Sequence, residues 1–199
     1  MTRIKLCGLS RTCDIEAAND LMPEYTGFVF APESRRRVSA DTAGELKRLL
    51  NPSIEAVGVF AGEAPERIAA LLKDGIIDLA QLHGGEDEEY IKGLRSMTDR
   101  PIIKAFRIEK EQDLILAEES AADLVLLDSG SGGEGKSFDW SLLREVKRPY
   151  FLAGGLNSEN VENAVKELAP FAVDVSSGIE TNGWKDRYKM NAFVQAVRG

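Results

Sequence analysis

The amino-acid sequence predicts an α/β protein folded as one single-domain (β/α)8 TIM barrel spanning residues 1–199, and three observations predict it. Short apolar runs rich in Val, Ile, Leu and Phe recur eight times along the chain. Segments with helical spacing lie between them. The residues that close the runs are polar types suited to chemistry, as expected where a barrel gathers the C-terminal ends of its strands.

The first run opens near Ile4, where Arg3 and Lys5 interleave with Ile4 and Leu6. That alternation is a strand pattern and not the apolar core of a secretory signal. The second and third runs open near Thr26 and Ile54, and they echo each other in Gly27-Phe28-Val29-Phe30-Ala31 and Val57-Gly58-Val59-Phe60-Ala61. The remaining runs open near Ile77, Pro101, Asp123, Pro149 and Phe171. Pro65 to Lys73 places Ile68, Leu71 and Leu72 on one side of a helix, Asp113 to Glu119 does the same with Leu114, Ile115 and Ala117, and Glu159 to Leu168 is amphipathic. The glycine-dense segment Ser129 to Lys136 predicts a flexible loop after the sixth strand. Alternation of strand and helix demands parallel strands with covering helices. Eight repeats close a barrel more naturally than they extend an open doubly wound sheet.

Composition narrows the function. A chain of 199 residues with 43% hydrophobic and 29% charged residues can bury one good core. No apolar stretch approaches the roughly 18 to 20 residues of a membrane span, which predicts a cytoplasmic protein with no membrane partner. A net charge of -8 argues against nucleic acid, whose phosphates require a basic face. One histidine makes a metal site improbable, and two cysteines, Cys7 and Cys13, are too few for a disulfide framework. An acidic, ordinary surface favours a monomer.

The candidate site follows from the strand ends. The first strand ends in Cys7, the second leads to Arg35-Arg36-Arg37, the fourth ends in Gln81 and His83, and the sixth in Asp128. Gln81 and His83 are two apart and share one side of their strand, as do Lys5 and Cys7. The seventh strand leads to Gly154-Gly155 and the eighth to Ser176-Ser177-Gly178, whose unobstructed backbone N–H groups suit a phosphate at the place where barrels hold one, with a short helix N-terminus nearby. Arg36 can supply further charge to an anionic ligand. Each residue also has a plain structural reading: cysteine packs as a small hydrophobe, an arginine triplet is a solvated loop, and an aspartate before glycines bonds its own backbone. Their convergence on one face favours chemistry.

Taken in order, Lys5-Leu6-Cys7-Gly8-Leu9-Ser10, Gly27-Phe28-Val29-Phe30, Ser34-Arg35-Arg36-Arg37-Val38-Ser39, Gln81-Leu82-His83-Gly84, Leu127-Asp128-Ser129-Gly130-Ser131-Gly132-Gly133, Gly154-Gly155-Leu156 and Asp174-Val175-Ser176-Ser177-Gly178-Ile179-Glu180 resemble the successive motifs of the phosphoribosylanthranilate isomerase family. The resemblance runs from end to end. It implies an Amadori rearrangement in tryptophan biosynthesis, in which the ribose ring of N-(5-phosphoribosyl)anthranilate opens and the aminoaldose becomes the aminoketose 1-(2-carboxyphenylamino)-1-deoxyribulose 5-phosphate, without a cofactor. By the same resemblance the general base is Cys7, the general acid Asp128, and Arg36 helps hold the substrate. Phosphate contacts are implied for Gly155 and the Ser177-Gly178 loop. An acid with an ordinary pKa of about 3.9 must be shielded or paired to donate near neutral pH, and a thiol of about 8.5 needs help, for example from Lys5, to serve as base.

The chain departs from the family pattern at Leu9-Ser10, where Ile-Thr is usual, at Asn19 to Thr26, where local loop differences are expected, and in the variable-looking tail Asn182-Gly183-Trp184-Lys185-Asp186. Three rivals remain: a non-catalytic phosphosugar-binding barrel, a dual-specificity histidine/tryptophan pathway isomerase, and a Schiff-base lyase using Lys5 or Lys104.

Overall fold

The structure is a computed structural model, which describes residues 1–128, 143–144 and 146–199. The segment Ser129 to Lys136 lies outside the described residues. Eight parallel strands close a barrel in sequence order: β1 (Arg3–Cys7), β2 (Tyr25–Val29), β3 (Glu55–Phe60), β4 (Leu79–Leu82), β5 (Ile102–Arg107), β6 (Leu124–Asp128), β7 (Tyr150–Ala153) and β8 (Ala172–Val175). Around it stand α1 (Thr12–Leu21), α2 (Ala40–Leu49), α3 (Pro65–Lys73), α4 (Glu88–Arg95), α5 (Glu111–Glu119), α6 (Val161–Leu168) and α7 (Arg187–Arg198). The eight apolar runs therefore begin within two residues of the observed strands.

Local chemistry sets the helix starts. Ser39 and Asp87 accept from the backbone N–H groups of Thr42 and Tyr90, and Asp186 accepts from those of Tyr188 and Lys189, while Pro65 occupies the first turn of α3 where its missing donor is harmless. The stretch from Asn19 is not all loop. Asn19 to Leu21 form the last turn of α1, Met22 caps it in the left-handed region (φ 48), and the chain enters β2 three residues later. The tail is also ordered. Asn182 and Gly183 (φ 52 and 84) turn β9 (Glu180–Thr181) back onto β10 (Trp184–Lys185) as a tight antiparallel ribbon.

Alternate residues of each strand enter the barrel. Tyr25, Val57, Leu79, Ile103, Leu126 and Phe151 meet there, with the Tyr25 and Phe151 rings 5.3 Å apart. Residues of the opposite face, such as Ile4, Leu6, Phe28 and Phe60, pack under the helices in the larger outer core.

The inner face of β1 holds a lysine. Lys5 has no solvent exposure; its Nζ donates to Gln81 Oε1 at 2.8 Å and to Asp174 Oδ1 at 3.0 Å. Lys5 and Asp174 are register partners across the β1–β8 seam, the junction that closes the barrel. Burial alone would lower the ammonium pKa, but Asp174, and then Cys7, outweigh it, and the net direction is upward. A buried ion pair adds little net stability over an apolar replacement, yet removing one partner leaves an uncompensated charge.

Asp174→Asn should therefore destabilise the chain by about 3–5 kcal/mol in denaturant unfolding, whereas Lys5→Met with Asp174→Val should recover most of the loss. The sign of the pH dependence follows from the raised Lys5 pKa. Its contribution is complete below the ordinary value of 10.5 and is lost as pH rises through the higher folded value. Alkaline unfolding should accordingly be shallower in the Met/Val double variant than in the parent.

Candidate active site

The C-terminal strand ends ring a cleft of about 380 Å³. Cys7, Arg36, Gln81, His83, Asp128, Gly154, Gly155, Ser176 and Ser177 all line it. Gly178 does not. A Cβ there would stand 1.9 Å from the Leu156 carbonyl oxygen, so its bare backbone lets the loop after β8 lie against the loop after β7.

Cys7 ends β1 opposite Gly27 of β2. A Cβ at Gly27 would stand 2.7 Å from the Cys7 sulfur, so this glycine makes room for the thiol, which rests against Val29 and Val59. Burial pushes the thiol pKa up, while Lys5 and Lys185 pull it down and Asp174 opposes them. The net direction is upward. The help expected from Lys5 is present, but burial exceeds it.

Asp128 ends β6 across the mouth from Cys7, with 29% of its side chain exposed. His83 stands one residue beyond β4, where its backbone N–H donates to Phe60. Its Nε2 lies 3.8 Å from Asp128 Oδ2, and its Nδ1 lies 2.8 Å from Gln81 Nε2. Because Gln81 also receives Lys5, one polar chain crosses the barrel from Asp174 through Lys5, Gln81 and His83 to Asp128.

Residues 34–37 form a turn, so Arg35 and Arg36 do not point in opposite directions: both reach Glu180. Arg36 is bidentate, with Nε 2.6 Å from Oε1 and Nη2 3.0 Å from Oε2. Arg36 enters the cleft, whereas the Arg35 side chain is 62% exposed. Gly8 (φ 80) permits this path, since a Cβ there would stand 2.5 Å from the Arg36 Cδ. The backbone of Arg37 forms a parallel bridge with Val29.

The tail contributes residues that the sequence reading passed over. Lys185 is buried and donates to Glu180 Oε1 at 2.7 Å, to the Ser176 carbonyl at 2.9 Å and to Ser176 Oγ at 3.2 Å. Burial would raise the Glu180 pKa, but the bonds from Arg36 and Lys185 outweigh it and hold it at about 2. The Asn182-Gly183 pair between two-residue arms was the available hairpin signal.

Two glycines with positive φ, Gly154 (97) and Gly155 (63), carry the chain away from β7. The helix expected to follow begins later. A turn fastened by Asn160, whose side chain bonds the Asn157 N–H and the Gly155 carbonyl, precedes α6, and the cleft is lined by none of residues 157–161. The short helix beside the cleft is the 3-10 turn Ser177–Ile179. Among the described residues, no group of His, Cys, Asp and Glu could hold a metal ion.

Residues 4–196 match the family model described as N-(5'-phosphoribosyl)anthranilate isomerase. The N-(5'-phosphoribosyl)anthranilate isomerase of Endomicrobium trichonymphae is 46% identical over 100% of this chain and 99% of its own. A phosphoribosylanthranilate isomerase solved in complex with reduced 1-(o-carboxyphenylamino)-1-deoxyribulose 5-phosphate is 35% identical, with a TM-score of 0.87 over the whole of both chains. Monomers generated from the dimeric phosphoribosylanthranilate isomerase of Thermotoga maritima superpose with a TM-score of 0.88 at 36% identity, again over the whole of both chains. The likeness spans every strand of the barrel and every loop that reaches the cleft, and the chain belongs to the N-(5'-phosphoribosyl)anthranilate isomerase family.

Proposed function

We propose that Cys7 and Asp128 carry out, as base and acid, the isomerisation of N-(5'-phosphoribosyl)anthranilate that this chain performs in tryptophan biosynthesis. The observation that supports the pairing is their placement: one carboxyl and one thiol face each other across a single cleft, on strands three places apart around the closed barrel. Asp128 gives its proton to the furanose ring oxygen. The bond from C1 to that oxygen breaks with its electron pair, and the amine lone pair forms C1=N. Cys7, as thiolate, then takes the C2 proton, and the released pair forms C1=C2 as the C=N electrons return to nitrogen. In ketonisation of this enolamine the C2 hydroxyl gives up its proton and forms C2=O while the C1=C2 electrons take a proton at C1, which gives the product.

Arg36 and the loops after β7 and β8 would hold the anionic ends of the substrate. Gly154, Gly155, Ser176 and Ser177 present backbone at the rim, and Lys185 beneath Ser176 sets positive charge under that loop. A Schiff-base lyase finds no support. Lys5 is bound to Asp174 and favoured as ammonium, and Lys104 is sealed against Glu86 at 3.2 Å and the Gly84 carbonyl at 2.6 Å.

Two free cysteines and no helix long enough to cross a membrane, among the described residues, suit a reducing cytoplasm. The exposed large apolar side chains are divided among the N-terminal residue, the end of α1, α2, the turn after α4, α5, the ribbon and the start of α7, which supports a monomer. Equilibrium sedimentation should then give 21.8 kDa, and twice that mass would refute it.

Fluorescence loss of the anthranilate substrate reads the reaction directly. Cys7→Ser and Asp128→Asn should each lower kcat by about 100-fold to 10,000-fold, while Cys13→Ser stays near the parent rate. Parent-like turnover by folded Cys7→Ser would require another base. Arg36→Ala should raise KM well above the effect of Arg35→Ala, because only Arg36 faces the cleft; equal, small changes at both positions would remove Arg36 from the binding site.

A further inference from the structure

We propose that His83 is a positioning residue for Asp128, held neutral with its proton on Nε2 by a hydrogen-bond relay that starts at the buried Lys5. The inference rests on the reading of Asp128 as the acid, and it concerns a residue whose expected role was substrate contact.

The relay follows from donor and acceptor counting. An ammonium has only donors, so the Gln81 atom 2.8 Å from Lys5 Nζ is the carbonyl oxygen. The amide nitrogen of Gln81, also only a donor, therefore faces His83 Nδ1 at 2.8 Å. That ring nitrogen must offer its lone pair. A neutral imidazole then carries its single proton on Nε2, the atom facing Asp128 Oδ2 at 3.8 Å. Protonating the ring would set an N–H on Nδ1 against the Gln81 N–H. The cleft acts in the same direction: burial lowers the His83 pKa, as do Lys5 and Lys104, while Asp128 and Asp174 oppose them.

The consequence concerns where protons can go. With Nδ1 occupied as an acceptor and Nε2 as a donor, His83 cannot take the proton of Asp128 without breaking its bond to Gln81. When the ring oxygen of the sugar takes that proton, the new carboxylate gains negative charge opposite an N–H that needs no proton transfer to receive it. The separation of 3.8 Å is too long for a hydrogen bond in the resting cleft, and catalytic bonds of this kind shorten when substrate is bound.

The chain has one histidine, so histidine labelled with 15N gives a single residue to read by NMR in the unaltered protein. The expected spectrum at neutral pH shows Nε2 protonated and Nδ1 bare, and Gln81→Glu, whose carboxylate can only accept, should place a proton on Nδ1. An Nδ1–H tautomer or an imidazolium in the parent at neutral pH would overturn the proposal, as would an unprotonated Nδ1 in folded Gln81→Glu. The kinetic arm is a double-mutant cycle. His83→Ala should lower kcat by about tenfold to a hundredfold, the worth of one hydrogen bond to a charged group, and should have no further effect in an Asp128→Asn background. Independent losses that multiply would refute a role through Asp128. The two readings fail separately: an active Asp128→Asn removes the acid, whereas the wrong tautomer removes only the relay.

Discussion

A fully buried ammonium inside the barrel is the constraint on which the rest of the site depends. Lys5 fills a fully buried position on β1, in register with Tyr25 of β2 and Asp174 of β8, so its charge must be met by groups that also point inward. Asp174 meets the charge and Gln81 meets a further donor. These two demands orient three side chains from β1, β4 and β8 at once, directly beneath the cleft. The sulfur of Cys7, two residues along β1, sits above the same ammonium, and the amide orientation imposed on Gln81 is passed to His83. Polar satisfaction in the interior and geometry at the mouth are thus one network. Its members are set by pairing across strands and not by loop conformation, which keeps the chemistry on the stiffest part of the fold.

A second charge cluster works at the edge of the cleft. Glu180 draws Arg36 by two bonds and Lys185 by one, and its pKa of about 2 keeps it ionised throughout the neutral range. The effect is to fix a long, flexible guanidinium before any ligand arrives, lowering the conformational entropy lost on binding. The same carboxylate balances positive charge that would otherwise attract anions without selection. The ribbon from which Glu180 and Lys185 both project is only two residues long on each strand. It is held by these ion pairs as much as by its own backbone.

Periodicity revealed the barrel because each strand and helix writes its pattern in neighbouring residues. The eight runs, the amphipathic segments and the polar strand ends needed nothing from elsewhere in the chain. Strand starts shifted by a residue or two where turn residues such as Ile77 are as apolar as the strand that follows. The cleft was legible for a related reason: strand ends in a barrel share one face, so Cys7, Gln81, His83 and Asp128 could be grouped by position alone. What local pattern does not encode is the partner. Lys5 and Asp174 are 169 positions apart, as are Cys7 and Ser176, and Arg36 finds Glu180 after 144. That Arg35 and Arg36 share Glu180 could not be read from their adjacency, because a turn, unlike a strand, does not alternate. Lys185 was missed because a charged residue in a short ribbon reads as surface until the groups that bury it are known.

The span between Lys5 and Asp174 has a temporal consequence. A ribosome delivers β1 before the other seven strands, and until β8 emerges Lys5 exists without its carboxylate. During that interval an ammonium in an apolar interior would lack compensation, so premature collapse around the nascent β1 is disfavoured and its charged side chain stays hydrated. Arrival of β8 supplies the missing counterion, closes the seam and dehydrates the lysine in one event. Closure of the barrel thereby becomes the trigger for drying its interior, and the thiol and the acid acquire their working surroundings only once β8 has docked.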